Sequence, residues 1–407
     1  MTGKKRLERN CAIGLRAAHI VKRNLDGVRR FFRLRENMTA KVLALVGDLD
    51  GPALWRVLLP FSELQRQGFS GVEWDMWDND FLANIVHRFD AVILPRKFWK
   101  PKDYQPAARW FKALHKAGIA VIYEMDDDMV SEDFVKRIMY KDGYGIQYAR
   151  RRMKWIRNVI QTCDGVTVSS QRLATMVRGV TDKPVRVVPN YIDLDWFWQI
   201  QSMNERKVEG LTIGWAGGAR PDDDILPMVE AWKRIAARYP DVKFVVQGHH
   251  AKVFYDSLPL DRIAPLEWLP IDGYPAGLLN IDIGCCPLSD TKFNRAKTYI
   301  KAMEYAASGA AVVASPTVYN QIIEHGADGY IATTADDWER HLTALVESES
   351  QRKTIAMALL DKIKREHTLK TEAWRWVEAW GDIVTDFRQR QKRPHIYLPE
   401  GVQYAIQ

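Results

Sequence analysis

The chain has 407 residues, 47% hydrophobic and 27% charged, with only 25 Gly and 18 Pro, which excludes a disordered chain and predicts two domains instead of one core. Residues 1–38 hold 11 Lys or Arg against 3 Asp or Glu and so account for the whole formal net charge of +8, which argues against a basic groove running over the entire body. Cys11, Cys163, Cys285 and Cys286 lack CxxC spacing, and no run of about 18 apolar residues occurs, so a reduced, cytoplasmic protein is expected, with no structural zinc and no membrane-spanning helix.

Residues 4–35 carry Leu7, Cys11, Leu15, Ala18, Val21, Leu25, Val28 and Phe32 at helical spacing, flanked by Lys and Arg. Three roles fit such a helix: packing on the body, peripheral anchoring at an anionic membrane face, or contact with nucleic acid. Arg16, His19, Lys22 and Arg23 interrupt its apolar stretch, so it does not read as a signal peptide.

From Lys41 the pattern changes to short buried-strand runs alternating with helical segments. The first series is KVLALV (Lys41 to Val46), AVILP (Ala91 to Pro95), AVIYE (Ala120 to Glu124), GVTVSS (Gly165 to Ser170) and VRVVPN (Val185 to Asn190). A second series restarts with LTIGWAGG (Leu211 to Gly218), then KFVVQG, IDIGCCPL, AAVVAS and GYIA. Strands buried on both faces and alternating with helices predict an α/β fold of two doubly wound, Rossmann-like parallel sheets. The polar stretch Gln201 to Gly210 reads as the hinge between them, and Lys370 to Gln391 as a Trp-rich helix before an irregular tail.

In doubly wound sheets ligands bind beyond the carboxyl ends of the strands. At the first such end, Gly47 and Gly51 permit close backbone approach, and Arg56 lies in the helix that follows. No GxGxxG is present, so a dinucleotide cofactor is poorly supported. AVIYE runs into Met125, Asp126, Asp127 and Asp128. Asp126 or Asp127 is the candidate for hydrogen-bonding sugar hydroxyls or stabilising positive charge, and Asp128 for a structural role. Gly217 and Gly218 follow a strand and precede a helix, where exposed amides cradle a pyrophosphate. Trp74, Trp77 and Trp99 stand in polar settings, suited to lining an acceptor cleft. His249 and His250 make a poor metal pair.

The stretch Lys292 to Glu324 is the most informative. It reads as a loop, a helix ending at Ser308-Gly309, a buried strand and a second helix, with Lys297, Lys301 and Glu304 on one helical stripe. The ammonium groups suit phosphate oxygens and the carboxylate suits ribose hydroxyls, although a solvated face with ordinary Lys–Glu pairs gives the same spacing.

VTVSS (Val166 to Ser170), VVPNYID (Val187 to Asp193), IGWAGG (Ile213 to Gly218) and KAMEYAASGAAVVAS (Lys301 to Ser315) together resemble glycosyltransferase family 4 and its GT-B relatives. The resemblance spans roughly Lys41 to Trp380. It implies an N-terminal acceptor domain (39–205), a C-terminal nucleotide-sugar domain (206–370) and a terminal helix and tail (371–407) crossing back to the first, with residues 1–38 as a basic extension outside it.

The resemblance assigns the donor ribose to Glu304, five residues before Gly309. Where the family usually has another glutamate, eight residues earlier, this chain has Ala296, resembling a subgroup with an Asn-x-x-Lys pattern, here Asn294 and Lys297. The donor site implied is Gly51, Arg56, Gly217, Gly218, Asn294, Lys297, Lys301 and Glu304, with Asp126, Asp127 and Lys297 catalytic. No metal or cofactor is implied beyond a UDP- or GDP-sugar as co-substrate, and transfer is expected with retention. The acceptor expected is a cell-surface glycan or lipid-linked saccharide. The alternatives are a hydroxymethylated base in DNA, as phage-type DNA glycosyltransferases use, or no catalysis at all in a GT-B protein that binds nucleotide sugars or glycans.

Overall fold

The computed structural model describes residues 40–47, 49, 51–76, 88–95, 104–218, 221–249, 251–270 and 273–392. The basic helix expected over residues 4–35, together with Trp77, Trp99 and the tail, lies outside these. Two parallel six-stranded sheets organise the chain. The first holds β1 (Val42–Val46), β2 (Val72–Met76), β3 (Ala91–Pro95), β4 (Ala120–Met125), β5 (Gly165–Val168) and β6 (Val185–Val187) in the order β2-β1-β3-β4-β5-β6. The second holds β7 (Thr212–Gly217), β8 (Lys243–Gly248), β9 (Ile263–Leu266), β10 (Ile283–Cys286), β11 (Ala311–Ala314) and β12 (Tyr330–Ile331) in the order β12-β11-β10-β7-β8-β9.

The central strands match the apolar runs, because a strand covered by helices on both faces has few polar positions. Two strands went unread in the sequence, β2 (VEWDM) and β9 (IAPL), and both are sheet edges. β2 mixes charge with apolar residues, as an edge strand open to water on one side can, and β9 is a four-residue run interrupted by Pro265, a residue that reads against a strand and is tolerated at an edge.

The helices that bear on the site are α1 (Glu132–Asp142), α2 (Ile146–Thr162), α3 (Leu194–Ser202), α4 (Ile300–Ala307) and α5 (Trp374–Lys392). Helix α3 carries the chain from the first sheet to the second. Its Asp193 cap accepts from the Trp196 amide, while Trp198 Nε1 donates to Ala307 O at 2.8 Å and Gln201 Nε2 to Pro275 O at 3.0 Å. The polar stretch after it is held to the second sheet: Asn280 Oδ1 accepts from the Lys207 and Val208 amides, and Arg206 forks onto Asp282. The return crossing is a bridge between Ile192 and Thr368. Helix α5 then packs on the first sheet, with Trp380 edge-on to Phe61 at 5.2 Å between centroids and Arg390 donating to Asp164 O.

Close packing beneath the second sheet depends on Gly284. A Cβ there would fall 2.3–2.7 Å from the Tyr305 ring, whose hydroxyl accepts from the Ala216 amide at 2.8 Å beside the end of β7. Gly284→Ala is therefore expected to cost about 1–3 kcal/mol, the range for overpacking a filled core. Thermal unfolding read beside the wild type checks this, and an unchanged midpoint would contradict it.

Candidate active site

A cavity of about 290 Å³ lies between the carboxyl ends of the two sheets. From the first domain it is lined by Gly51, Pro52, Trp55, Asp126, Asp127 and Asn190. The second contributes Gly217, Gly218, Gln247, Trp268, Tyr274, Lys297, Thr298, Lys301 and Glu304 among others. Of the residues singled out in the sequence, Gly51, Asp126, Asp127, Gly217, Gly218, Lys297, Lys301 and Glu304 meet here. Arg56, Asn294 and Trp74 do not line it.

Glu304 lies on the inner face of α4 and is buried. Its Oε2 accepts from Lys301 Nζ at 2.7 Å and from the Tyr274 hydroxyl at 2.9 Å, which leaves Oε1 for a ligand hydroxyl. Lys301 Nζ also donates to the Tyr274 hydroxyl and sits 4.4 Å from its ring centroid. Burial first, and then the neighbouring Glu304, push the Tyr274 phenol well above its ordinary range, so it stays protonated and donates to the carboxylate. Tyr274 gave no sequence signal, since it opens a five-residue helix in a Gly- and Pro-rich loop with no periodicity.

Lys297 was expected on the same helix as Lys301. It stands instead in extended backbone, φ −69° and ψ 174°, between a 3₁₀ turn at Asn294–Ala296 and the start of α4 at Ile300. The extended backbone frees its ammonium to cross the cleft, where it donates to Asp127 Oδ1 at 3.1 Å. Asn294 does not line the cavity. Its buried amide donates to Asp224 Oδ1 at 2.7 Å and Ser289 O at 3.0 Å, and so shapes the loop that presents Lys297.

Arg56 also departs from expectation. The guanidinium is buried, with Nε donating to Glu124 Oε1 at 2.9 Å and Nη1 to Val188 O at 2.6 Å and Asn190 Oδ1 at 2.8 Å. Asn190 Nδ2 in turn donates to Thr298 Oγ1 at 3.2 Å, beside Lys297. Arg56 therefore braces Glu124, Val188 and Asn190 and does not line the cavity. Burial raises the Glu124 carboxyl despite the nearby Arg56.

Asp128, expected to be structural, is buried and accepts from the Val130 and Ser131 amides at the entry to α1. Trp74 is exposed on the edge strand β2, away from the cavity wall. The exposed tryptophan that does reach the cavity is Trp268. Its ring covers Gly218 and Gly248, and a Cβ at Gly248 (φ +94°) would strike Gly217 O at 2.7 Å and this ring at 3.0 Å. Among the described residues no group of three or more His, Cys, Asp or Glu side chains converges as metal ligands would.

Residues 210–348 match the family model for glycosyl transferases group 1. In solved structures, the chain superposes on Anabaena HepE in complex with UDP-glucose with a TM-score of 0.59 at 14% identity, covering 84% of this chain and 100% of HepE. Sucrose-phosphate synthase from Thermosynechococcus elongatus gives 0.59 at 13% identity over 85% of this chain and 99% of that one. The chain has the GT-B glycosyltransferase fold. A curated relative, the putative teichuronic acid biosynthesis glycosyltransferase TuaH of Bacillus subtilis, is 29% identical over 168 residues. That alignment spans 38% of this GT-B chain and 41% of TuaH.

Arg56→Met is expected to lower stability by about 3–5 kcal/mol, because it leaves the buried Glu124 without its ion-pair partner. Adding Glu124→Met should recover part of that loss. Thermal unfolding of the single and double variants checks both, and a double variant no more stable than the single one would contradict the pairing.

Proposed function

We propose that the protein is a retaining glycosyltransferase. It would move a sugar from a UDP-sugar to a hydroxyl of a cell-surface glycan or lipid-linked saccharide. The observation that carries the reading is the convergence of Glu304, Lys301 and Lys297 with the Gly217 and Gly218 backbone in one interdomain cavity. HepE was solved with UDP-glucose, and TuaH is named for teichuronic acid biosynthesis; both support this donor and acceptor class.

In this reading Glu304 accepts hydrogen bonds from the donor ribose, with Tyr274 and Lys301 fixing its rotamer. Lys301, Lys297 and the amides at the end of β7 surround the diphosphate. When the bond from the anomeric carbon to the diphosphate oxygen breaks, negative charge grows on that oxygen, and cations held in place beforehand stabilise it without reorganising. The acceptor oxygen bonds to the anomeric carbon on the face the diphosphate leaves, and its proton passes to the departing phosphate oxygen. Asp126 and Asp127 stand opposite, where carboxylates steady a sugar with oxocarbenium character. Asp127 also holds Lys297 across the cleft until phosphate competes for it.

Turnover with UDP-, GDP- and ADP-sugars, read as nucleoside diphosphate release with glycan acceptors, tests this. UDP-sugars should be preferred. Lys297→Ala should lower kcat about 10²–10³-fold, the usual loss for one preorganised charge-stabilising donor. Glu304→Ala should abolish measurable UDP binding. Unchanged turnover in both variants would refute the site.

A further inference from the structure

The hairpin of α1 and α2 beside the cleft carries a surface that the transfer reaction does not use. Helix α2 holds five basic residues and no acidic one. It buries Ala149, Trp155, Ile156, Val159 and Ile160 against the body and leaves Arg150, Arg151, Lys154 and Arg157 on the solvent stripe. Arg150 is 3.5 Å from Glu132. Among the described residues no carboxylate pairs with Arg151, Lys154 or Arg157. At the tip of the hairpin the turn Gly143 to Ile146 is wholly exposed, with Tyr144 48% and Ile146 44% accessible, and Met139 of α1 39%. Tyr144 and Tyr148 pair there at 4.3 Å between centroids.

The position of the hairpin ties this surface to the cleft. Helix α1 follows the strand whose end bears Asp126 and Asp127. The Arg137 guanidinium lies 4.8 Å from the centroid of Phe293, and Lys297 Nζ lies 4.8 Å from the same ring. The Phe293 ring is thus shared by the hairpin and the donor site.

We propose that this hairpin docks the protein on an anionic lipid bilayer. Its Arg and Lys stripe would meet the headgroups, with Tyr144, Ile146 and Met139 entering the interfacial layer. The inference rests on the reading of the acceptor as membrane-borne. The combination of chemistries selects the partner. A bilayer interface rewards cations together with aliphatic side chains such as Ile146 and Met139, whereas nucleic acid rewards cations and stacking aromatic rings. Docking here would hold the cleft mouth at the surface where a lipid-linked saccharide presents its hydroxyl. Among the described residues no helix is long and apolar enough to cross a membrane, so attachment through this hairpin would be peripheral.

Flotation of the full chain with phosphatidylglycerol-containing vesicles, beside vesicles of phosphatidylcholine alone, tests the proposal. The wild type should bind the anionic vesicles and release with added salt. The triple variant Arg151→Glu/Lys154→Glu/Arg157→Glu should bind them at least about tenfold more weakly. Tyr144→Ser/Ile146→Ser should bind more weakly at unchanged charge. UDP titration by calorimetry should give the wild-type affinity in both variants, so loss of docking is separable from failure of the nucleotide site. Equal binding to neutral vesicles, wild-type binding by the triple variant, or tighter binding to duplex DNA than to the anionic vesicles at the same salt would overturn the proposal.

Discussion

One buried cation organises the cleft. The Arg56 guanidinium, 2% exposed, touches the ends of two strands and the crossing helix at once: Glu124 on β4, Val188 and Asn190 beyond β6, and the Trp376 ring of α5 at 5.1 Å. A charge in that position is costly unless it is paired and hydrogen-bonded. Asn190 is therefore oriented from below, and it passes that orientation to Thr298 and the backbone presenting Lys297. The carboxylates of Asp126 and Asp127 begin two residues after Glu124, the other partner of the same guanidinium.

The two domains divide the chemistry along this line. The second domain offers a buried carboxylate, two ammonium groups and a close-packed glycine turn. The first offers carboxylates and, further out, a basic helix with an apolar tip. The 3.1 Å Asp127–Lys297 contact joins them at the centre of the cleft. Both partners are partly exposed, so solvent screens the pair, and a diphosphate with more charge can displace the carboxylate. A weak interdomain contact suits a cleft that must admit and release a ligand.

Much of the architecture was legible because parallel strands covered on both faces leave unbroken apolar runs. The edges β2 and β9 were not, since β2 mixes charged with apolar residues and Pro265 interrupts the short run of β9. At the site, the spacing of Lys301 and Glu304 was readable because both lie on one regular helix. Lys297 was grouped with them by spacing alone, and the 3₁₀ turn before it is invisible to a helical period. Arg56 reads as a ligand because a charged side chain near a strand end looks the same whether it faces a ligand or braces a loop, and Asn294 entered only through the Asn-x-x-Lys resemblance. Only tertiary burial separates those roles. Tyr274 and Trp268 come from irregular loops, where no periodicity marks which side chain faces inward.

The proposed donor site has Glu304 on the ribose and Lys297 and Lys301 on the diphosphate. The most direct measurement is a crystal structure of the protein grown with UDP. Ribose hydroxyls should lie on the Glu304 carboxylate and phosphate oxygens within hydrogen-bonding distance of both lysines, with the Asp127–Lys297 contact broken. UDP bound away from Glu304, or bound with Lys297 still on Asp127 and remote from the phosphates, would contradict the proposed site.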